Sequence, residues 1–109
     1  MPHDVPPLGE FEQMVLLAVL CAAQNGDAYG ITVYDELTTR TGRRVARGAV
    51  YMTLDRLEKK GLLSSFLTPP TAERGGRARR CYRATRPAVA ALKASRLALQ
   101  RLWAGLSLD

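Results

Sequence analysis

The residues best suited to chemistry in this 109-residue chain are its arginines and lysines, and the chemistry they suit is the binding of phosphates. Residues 43–83 contain eleven Arg or Lys and three acidic residues, a local charge of +8 in a chain whose net charge is +6. Residues 1–42 carry −5 and residues 84–109 carry +3, so the basicity is concentrated in one part of the sequence. Such concentration favours a nucleic-acid partner, although a well-solvated cationic surface would give the same count.

The bases lie in two segments of different character. Residues 43–60 read as a helix with a basic surface, whereas residues 73–80 hold the Gly75-Gly76 pair between two strand-like stretches. A basic helix followed by a basic hairpin can contact the two neighbouring phosphate backbones that border a groove of a duplex. An RNA-binding glycine–arginine segment is the weaker reading, because a single Arg-Gly-Gly is not a repeat. The sequence therefore predicts double-stranded DNA as partner, with protein or RNA as the alternative.

Periodic apolar residues predict three helices ahead of the hairpin. Asp27 is the predicted N-cap of the second helix, whereas Ala46 offers the third helix no side-chain acceptor. The first helix is predicted to run from Gly9 to Ala23, and the third from near Arg47 to Lys60. The second is predicted to begin at the cap Asp27 and to close with Arg40 in its last turn and Gly42 beyond it.

The hairpin and a last helix complete the predicted fold. Residues 62–68 and 79–84 are strand-like, and the proline and glycine pairs between them mark turns. Thr85 is the predicted N-cap of the last helix, with Pro87 in its first turn. The predicted class is mainly α with a small β-hairpin: a winged helix-turn-helix followed by a C-terminal helix.

Apolar residues of the last helix follow the a/d spacing of a coiled coil. The first helix is apolar on more than one side, since Leu16 and Val19 fall outside its main stripe. We therefore predict a homodimer in which both helices meet a partner subunit; the alternative is a last helix packed on its own domain. The predicted interface residues are Leu16, Leu20, Leu92, Leu99, Trp103 and Leu106.

Short motifs in this order resemble the PadR-like transcriptional regulators, in the smaller subgroup with a short C-terminal helix. The matching residues are Tyr29-Gly30, Gly48-Ala49-Val50-Tyr51, the run from Leu54 to Leu63, and the run from Gly75 to Thr85. The resemblance covers residues 9 to about 103, and the sequence departs from the family pattern at Ala46, Met52 and Cys81.

The resemblance implies a dimeric, DNA-binding repressor in which the last helix makes the dimer. It also implies members that respond to small apolar or phenolic compounds. Accordingly, residues 1–8 are predicted to form a flexible arm, residues 9–84 the DNA-binding domain, and residues 85–109 the dimerisation helix.

The predicted DNA contacts lie on the third helix and in the hairpin. Arginines there suit phosphates or the O6/N7 edge of guanine, although Arg56 has Asp55 and Glu58 as alternative partners. Gly48 either admits close approach of the duplex or is simply tolerated near a helix start. Tyr51 is expected to pack its ring and free its hydroxyl for a phosphate. The predicted contacts are Arg44, Arg47, Gly48, Tyr51, Met52, Arg56, Arg74, Arg77 and Arg79.

Catalysis, metal binding and membrane insertion are not expected. The single histidine, His3, lies in the arm, and no phosphate-binding glycine loop is present. No apolar run approaches the length of a bilayer span, and the N-terminus lacks the pattern of a secretory signal. Cys21 and Cys81 lack metal-ligand spacing and indicate a reducing cytoplasm.

The single tryptophan marks a place for a small molecule. Trp103 at an a position is predicted to line a cavity between two subunits, where its ring would stack on a planar aromatic effector. The alternative is that Trp103 belongs to the core. No cofactor is predicted.

Overall fold

Three helices, a two-stranded hairpin and a fourth helix follow one another in a computed structural model that describes residues 7–69 and 78–109. This confirms the predicted fold class. The elements are α1 (Glu10–Gln24), α2 (Gly30–Thr41), α3 (Arg47–Lys59), β1 (Leu63–Thr68), β2 (Arg79–Ala84) and α4 (Arg86–Trp103).

The core lies between the first three helices and the hairpin. Each helix turns its most apolar face inward, and removing that surface from water is the main stabilising contribution. The largest fully buried side chains are Leu16, Leu54, Leu57, Val15, Val19, Val33, Val50 and Cys81.

The start of α2 differs from the prediction. Tyr29, not Asp27, is the N-cap, and its backbone N–H donates to Thr32 Oγ1 at 2.9 Å. The Thr32 hydroxyl in turn donates to the Asp27 carbonyl at 2.9 Å. The side chain of a threonine in the first turn thus provides hydrogen bonds to the backbone that precedes α2. The end of α2 is as predicted, because Gly42 adopts a left-handed φ of 69° and donates to the Thr38 carbonyl.

One threonine joins the end of α3 to the start of α4. The chain leaves α3 through Gly61, whose φ of 77° is left-handed. Thr85 Oγ1 donates to the Gly61 carbonyl at 2.8 Å and accepts from the backbone N–H of Ala88 at 3.4 Å. Thr85 is therefore the N-cap that the sequence predicts, and it also fixes where α4 begins.

The hairpin is antiparallel and carries a third, short extended segment on its β2 edge. Leu63 pairs with Ala84 at one end, and Thr68 pairs with Arg79 at the other. Cys81 also bridges to Tyr29, and the Tyr82 N–H donates to the Ala28 carbonyl at 2.8 Å. The hairpin is thus anchored to the segment that leads into α2.

The two halves of α4 differ in their surroundings. Ala88 and Leu92 are buried, but every residue from Arg96 onward is exposed. The second half of α4 therefore projects from the body of the subunit. Among the described residues, none of the helices combines the length and apolar character that crossing a bilayer requires.

Candidate nucleic-acid interface

The third helix presents one polar face to solvent and one apolar face to the core. Its buried residues are Val50, Thr53, Leu54 and Leu57. The opposite side, called here the free face of α3, comprises the exposed residues Gly48, Met52, Asp55, Arg56 and Lys59. The apolar spacing at positions 50, 54 and 57 predicts this division, apart from the burial of Thr53.

Two glycines near the free face play different roles. A side chain at Gly48 would meet no atom within 4 Å, so the subunit's own packing does not require a glycine there. A Cβ at Gly30 would lie 2.6 Å from Cε1 of Tyr51. The Tyr51 ring therefore rests on the first turn of α2, while the residue stays 41% exposed.

Two acids of α1 bind bases at both ends of α3. Glu10 Oε1 accepts from Arg43 Nη1 at 3.2 Å, just before α3 begins. Glu12 Oε2 accepts from Lys60 Nζ at 2.6 Å, where α3 ends. The hydrogen bond from Lys60 is the main cause that lowers the pKa of Glu12 below its ordinary value of 4.5. These two bases are thus engaged within the subunit.

Aromatic rings support three further arginines. The guanidinium carbon lies 4.1 to 5.3 Å from the ring centroid in each case. The pairs are Arg47 over Tyr34, Arg79 over Tyr29, and Arg83 over Phe66. Sequence patterns did not reveal these rings, because each stack joins residues that are 13 or more positions apart and leaves no periodic signal.

Arg80 is also paired within the subunit, since its Nη1 lies 3.7 Å from Glu58 Oε1. The other oxygen of Glu58 accepts from Ser65 Oγ at 2.6 Å. Since Glu58 is taken by these partners, it does not pair with Arg56. Within residues 7–69 and 78–109, the side chains of Arg44, Arg56 and Lys59 make no hydrogen bond or salt bridge.

The predicted contacts thus fall into three groups. Exposed residues on α3 or in the loop before it form the first group: Arg44, Gly48, Tyr51, Met52 and Arg56. Arg47 and Arg79 are stacked on tyrosines. Arg74 and Arg77 lie outside the described residues.

An apolar groove separates the projecting half of α4 from α1. It encloses about 590 Å³ between Leu17 and Leu20 of α1 and Val89, Leu92, Leu99 and Trp103 of α4. Trp103 is 55% exposed, so it does not belong to the subunit core. The groove therefore combines four of the six residues predicted at a dimer interface.

The other two predicted interface residues lie outside the groove, and only the prediction for Leu16 is wrong. Leu16 is wholly buried in its own subunit, because α1 turns residues 15, 16, 18, 19 and 22 into the core. Leu17, 48% exposed, lies on the groove instead. Leu106 falls outside α4, which ends at Trp103; Gly105 then turns the chain with a φ of 80° and interrupts the heptad spacing.

Comparison with known proteins identifies relatives of this chain. The model of the transcriptional regulator PadR-like family matches residues 17–94. The chain is 43% identical over 94 residues to the transcriptional regulator Rv3488 of Mycobacterium tuberculosis, a match that covers 85% of this chain and 83% of that protein.

Solved structures share the fold. A PadR family transcription regulator from Clostridium difficile R20291 superposes with a TM-score of 0.68 at 18% identity, covering 86% of this chain and 91% of that one. A PadR family transcriptional regulator from Eggerthella lenta DSM 2243 gives a TM-score of 0.62 at 26% identity, with coverages of 82% and 76%.

Proposed function

Because this chain belongs to the PadR-like family of transcriptional regulators, we propose that it is a homodimeric repressor that binds an inverted-repeat operator in duplex DNA. The observation that carries the proposal is a set of exposed cations on α3 and the loop before it, Arg44, Arg56 and Lys59, whose side chains make no hydrogen bond or salt bridge within the described residues. The other described bases of residues 43–83 are held by acids or rings. Cations without an internal partner are the ones free to replace counterions on phosphates.

In the proposed complex, α3 enters the major groove and the hairpin lies beside it. Gly48 and Met52 are one turn apart on the free face, and the missing side chain at Gly48 leaves room for a base edge or a phosphate. Arg56 is the candidate for a guanine contact, since a guanidinium matches the O6/N7 edge. The stacked Arg47 and Arg79 keep fixed directions because their rings limit their motion.

The proposed dimer forms through the groove. The projecting half of α4 carries Leu99, Leu102 and Trp103 exposed to solvent, and α1 adds Leu17 on the facing side. An apolar surface of this kind favours burial against a second copy. Residues 9–84 would then bind DNA while residues 85–109 join the subunits, and the site of action would be the cytoplasm.

A small effector is a second element of the proposal, favoured by the groove itself. Its volume of about 590 Å³ falls within the range of ligand sites, and Trp103 offers a ring for a planar aromatic molecule. Such a molecule would release DNA only if it bound one dimer arrangement better than another. As the chain's single tryptophan, Trp103 reports binding by fluorescence; unchanged emission and operator affinity across a panel of planar aromatics would remove the effector from the proposal.

The test of the main proposal is selection of bound sites from random duplex DNA, followed by titration against single-stranded RNA. We expect a palindromic site, a footprint over both half-sites, and affinity that falls steeply with salt, by about 0.9 log units per neutralised phosphate for each tenfold rise. Equal affinity for single-stranded RNA, with no preferred duplex site, would overturn the proposal in favour of a protein- or RNA-binding module.

A further inference from the structure

The fourth helix is attached to the rest of the subunit by few contacts. Its start is held by Thr85, and its first half buries Ala88 and Leu92. Farther along, Ser95 Oγ donates to Gln13 Oε1 of α1 at 2.8 Å. Within the ranges 7–69 and 78–109, this is the only side-chain hydrogen bond between α4 and α1.

Ser95 is also where the burial of α4 ends. It is half-buried, whereas every residue after it is exposed, including the last eight residues of α4. The direction of the projecting half of α4 is therefore determined by the anchors up to Ser95. The two apolar anchors allow sliding, because burial of methyl groups is not directional. The hydrogen bond between Ser95 and Gln13 is directional.

Gln13 is itself held in place. Its Nε2 donates to the Leu8 carbonyl at 3.2 Å, so both ends of the amide group are used. The amide joins the segment before α1 to the middle of α4. A side chain restrained at both ends transmits the position of α1 to α4 more stiffly than a free one.

We propose that Gln13 and Ser95 are positioning residues that set the angle between α4 and the DNA-binding domain, and thereby the spacing of the two half-sites that the dimer accepts. The inference rests on the proposed function, because it requires a dimer joined through α4 that binds an inverted repeat. Neither residue touches DNA in this arrangement.

The geometry makes spacing a sensitive readout. In a two-fold dimer, half-site centres about 34 Å apart lie about 17 Å from the dyad. By symmetry both recognition helices move, so a displacement of each by about 1.7 Å along the duplex changes their separation by the rise of one base pair, about 3.4 Å. A small change in the angle of α4 therefore shifts the preferred spacing without altering contacts within a half-site.

The experiment is selection from a duplex library that holds two copies of the half-site chosen by the wild-type protein, separated by a variable number of base pairs. The variants are Ser95→Ala, which removes the donor, and Gln13→Met, which removes the acceptor at similar length. Ser95→Thr keeps a hydroxyl, and Ser107→Ala makes the same change beyond α4. Thermal unfolding and light scattering establish that each variant is folded and dimeric.

We expect a single preferred spacing for the wild type, Ser95→Thr and Ser107→Ala. Ser95→Ala and Gln13→Met should broaden or shift the preference by about one base pair while the affinity for an isolated half-site stays within twofold. Unchanged spacing in both variants overturns the inference and leaves the proposed function standing. A wild type that selects no paired half-sites overturns both.

Discussion

The ring of Tyr51 on α3 lies against Gly30 at the start of α2, where a Cβ would approach Cε1 of the ring to 2.6 Å. Helices α2 and α3 therefore contact each other outside the apolar core as well, through the Tyr51 ring and the first turn of α2. Gly48, one turn before Met52, has no such neighbour. We therefore expect opposite effects from the same substitution at the two glycines.

Gly30→Ala should destabilise the protein. The new methyl group forces the Tyr51 ring aside, and overpacking of this kind costs about 1–2 kcal/mol. Urea denaturation measures the loss. The clash is its cause, so in a Tyr51→Ala background the same substitution should lose most of its effect. A cost that persists without the ring would show that Gly30 is needed for another reason.

Gly48→Ala should have the opposite sign. Alanine favours the helix by about 0.5–1 kcal/mol, and nothing in the subunit opposes its methyl group. We expect a more stable protein that binds its operator more weakly, because the methyl group occupies space proposed for the duplex. Denaturation and operator titration separate the two effects; a stabilised variant with wild-type affinity would mean that α3 does not approach DNA at this turn.

Glu12→Gln should lower stability at neutral pH by about 1 kcal/mol, since the ion pair becomes a hydrogen bond from the Lys60 ammonium to an uncharged amide oxygen. The folded-state pKa of Glu12 lies below 4.5, so the pair stabilises the protein above that pH and the contribution is lost as the pH falls through the lowered pKa. The difference in the free energy of unfolding between Glu12→Gln and the wild type should therefore vanish as the pH falls below the pKa of Glu12. Glu10→Gln is the control, because its pair with Arg43 is exposed and is expected to contribute little.

Arg56→Ala should flatten the salt dependence of operator binding, by about 0.9 in the log–log slope for each phosphate that the arginine neutralises in the wild type. Arg43→Ala removes the same charge but from a side chain already paired with Glu10. We expect its slope to stay close to that of the wild type. If both variants change the slope alike, the salt dependence follows the net charge of the protein and not a phosphate contact made by Arg56.

Leu99→Glu should yield monomers. Leu99 lines the groove between α4 and α1, and a carboxylate there would lose its hydration when a second subunit covers it. Light scattering at micromolar concentration gives the mass directly. Leu108→Glu, an equal change at an exposed residue beyond α4, should leave the dimer intact. A monomeric wild type would rule out the proposed dimer.

Met52→Ala should alter base preference more than overall affinity. Met52 is 65% exposed, the most apolar residue on the free face, and an apolar side chain in the major groove reads the methyl group of thymine. Replacing thymines of the operator by uracil, one at a time, should weaken the wild type at one position per half-site and leave the variant indifferent there. Equal binding of every uracil-substituted operator by the wild type would remove this role.

Much of the fold was predictable because its signals are local. Helices α1, α3 and α4 follow apolar periodicity, and Thr85 caps α4 as its side-chain chemistry indicates. The cap of α2 was not predictable in this way. Asp27 is a good capping residue by type, but the hydroxyl of Thr32 satisfies Tyr29 and moves the start of the helix two residues along.

Which side chains of a helix face the core was harder to predict than the presence of the helix. Because α1 is apolar on several sides, its periodicity wrongly placed Leu16, which is buried, outside the main apolar stripe, whereas Leu17 faces the groove. The site shows the same limit. Exposure of Arg56 follows from its position on α3, but the stacking of Arg79 on Tyr29 joins residues fifty positions apart and depends on the tertiary fold.

The hydrogen bond from the Tyr82 N–H to the Ala28 carbonyl has a consequence for the order in which the protein is made. The segment before α2 leaves the ribosome long before its partner in β2, and Cys81 and Tyr82 are both buried. Until β2 has been made, the backbone of residues 28 and 29 therefore lacks its hydrogen-bonding partners in β2. Pairing across so long a stretch is slow compared with helix formation. We expect a nascent chain arrested before residue 82 to be sensitive to proteases, and one arrested after α4 has emerged to resist them.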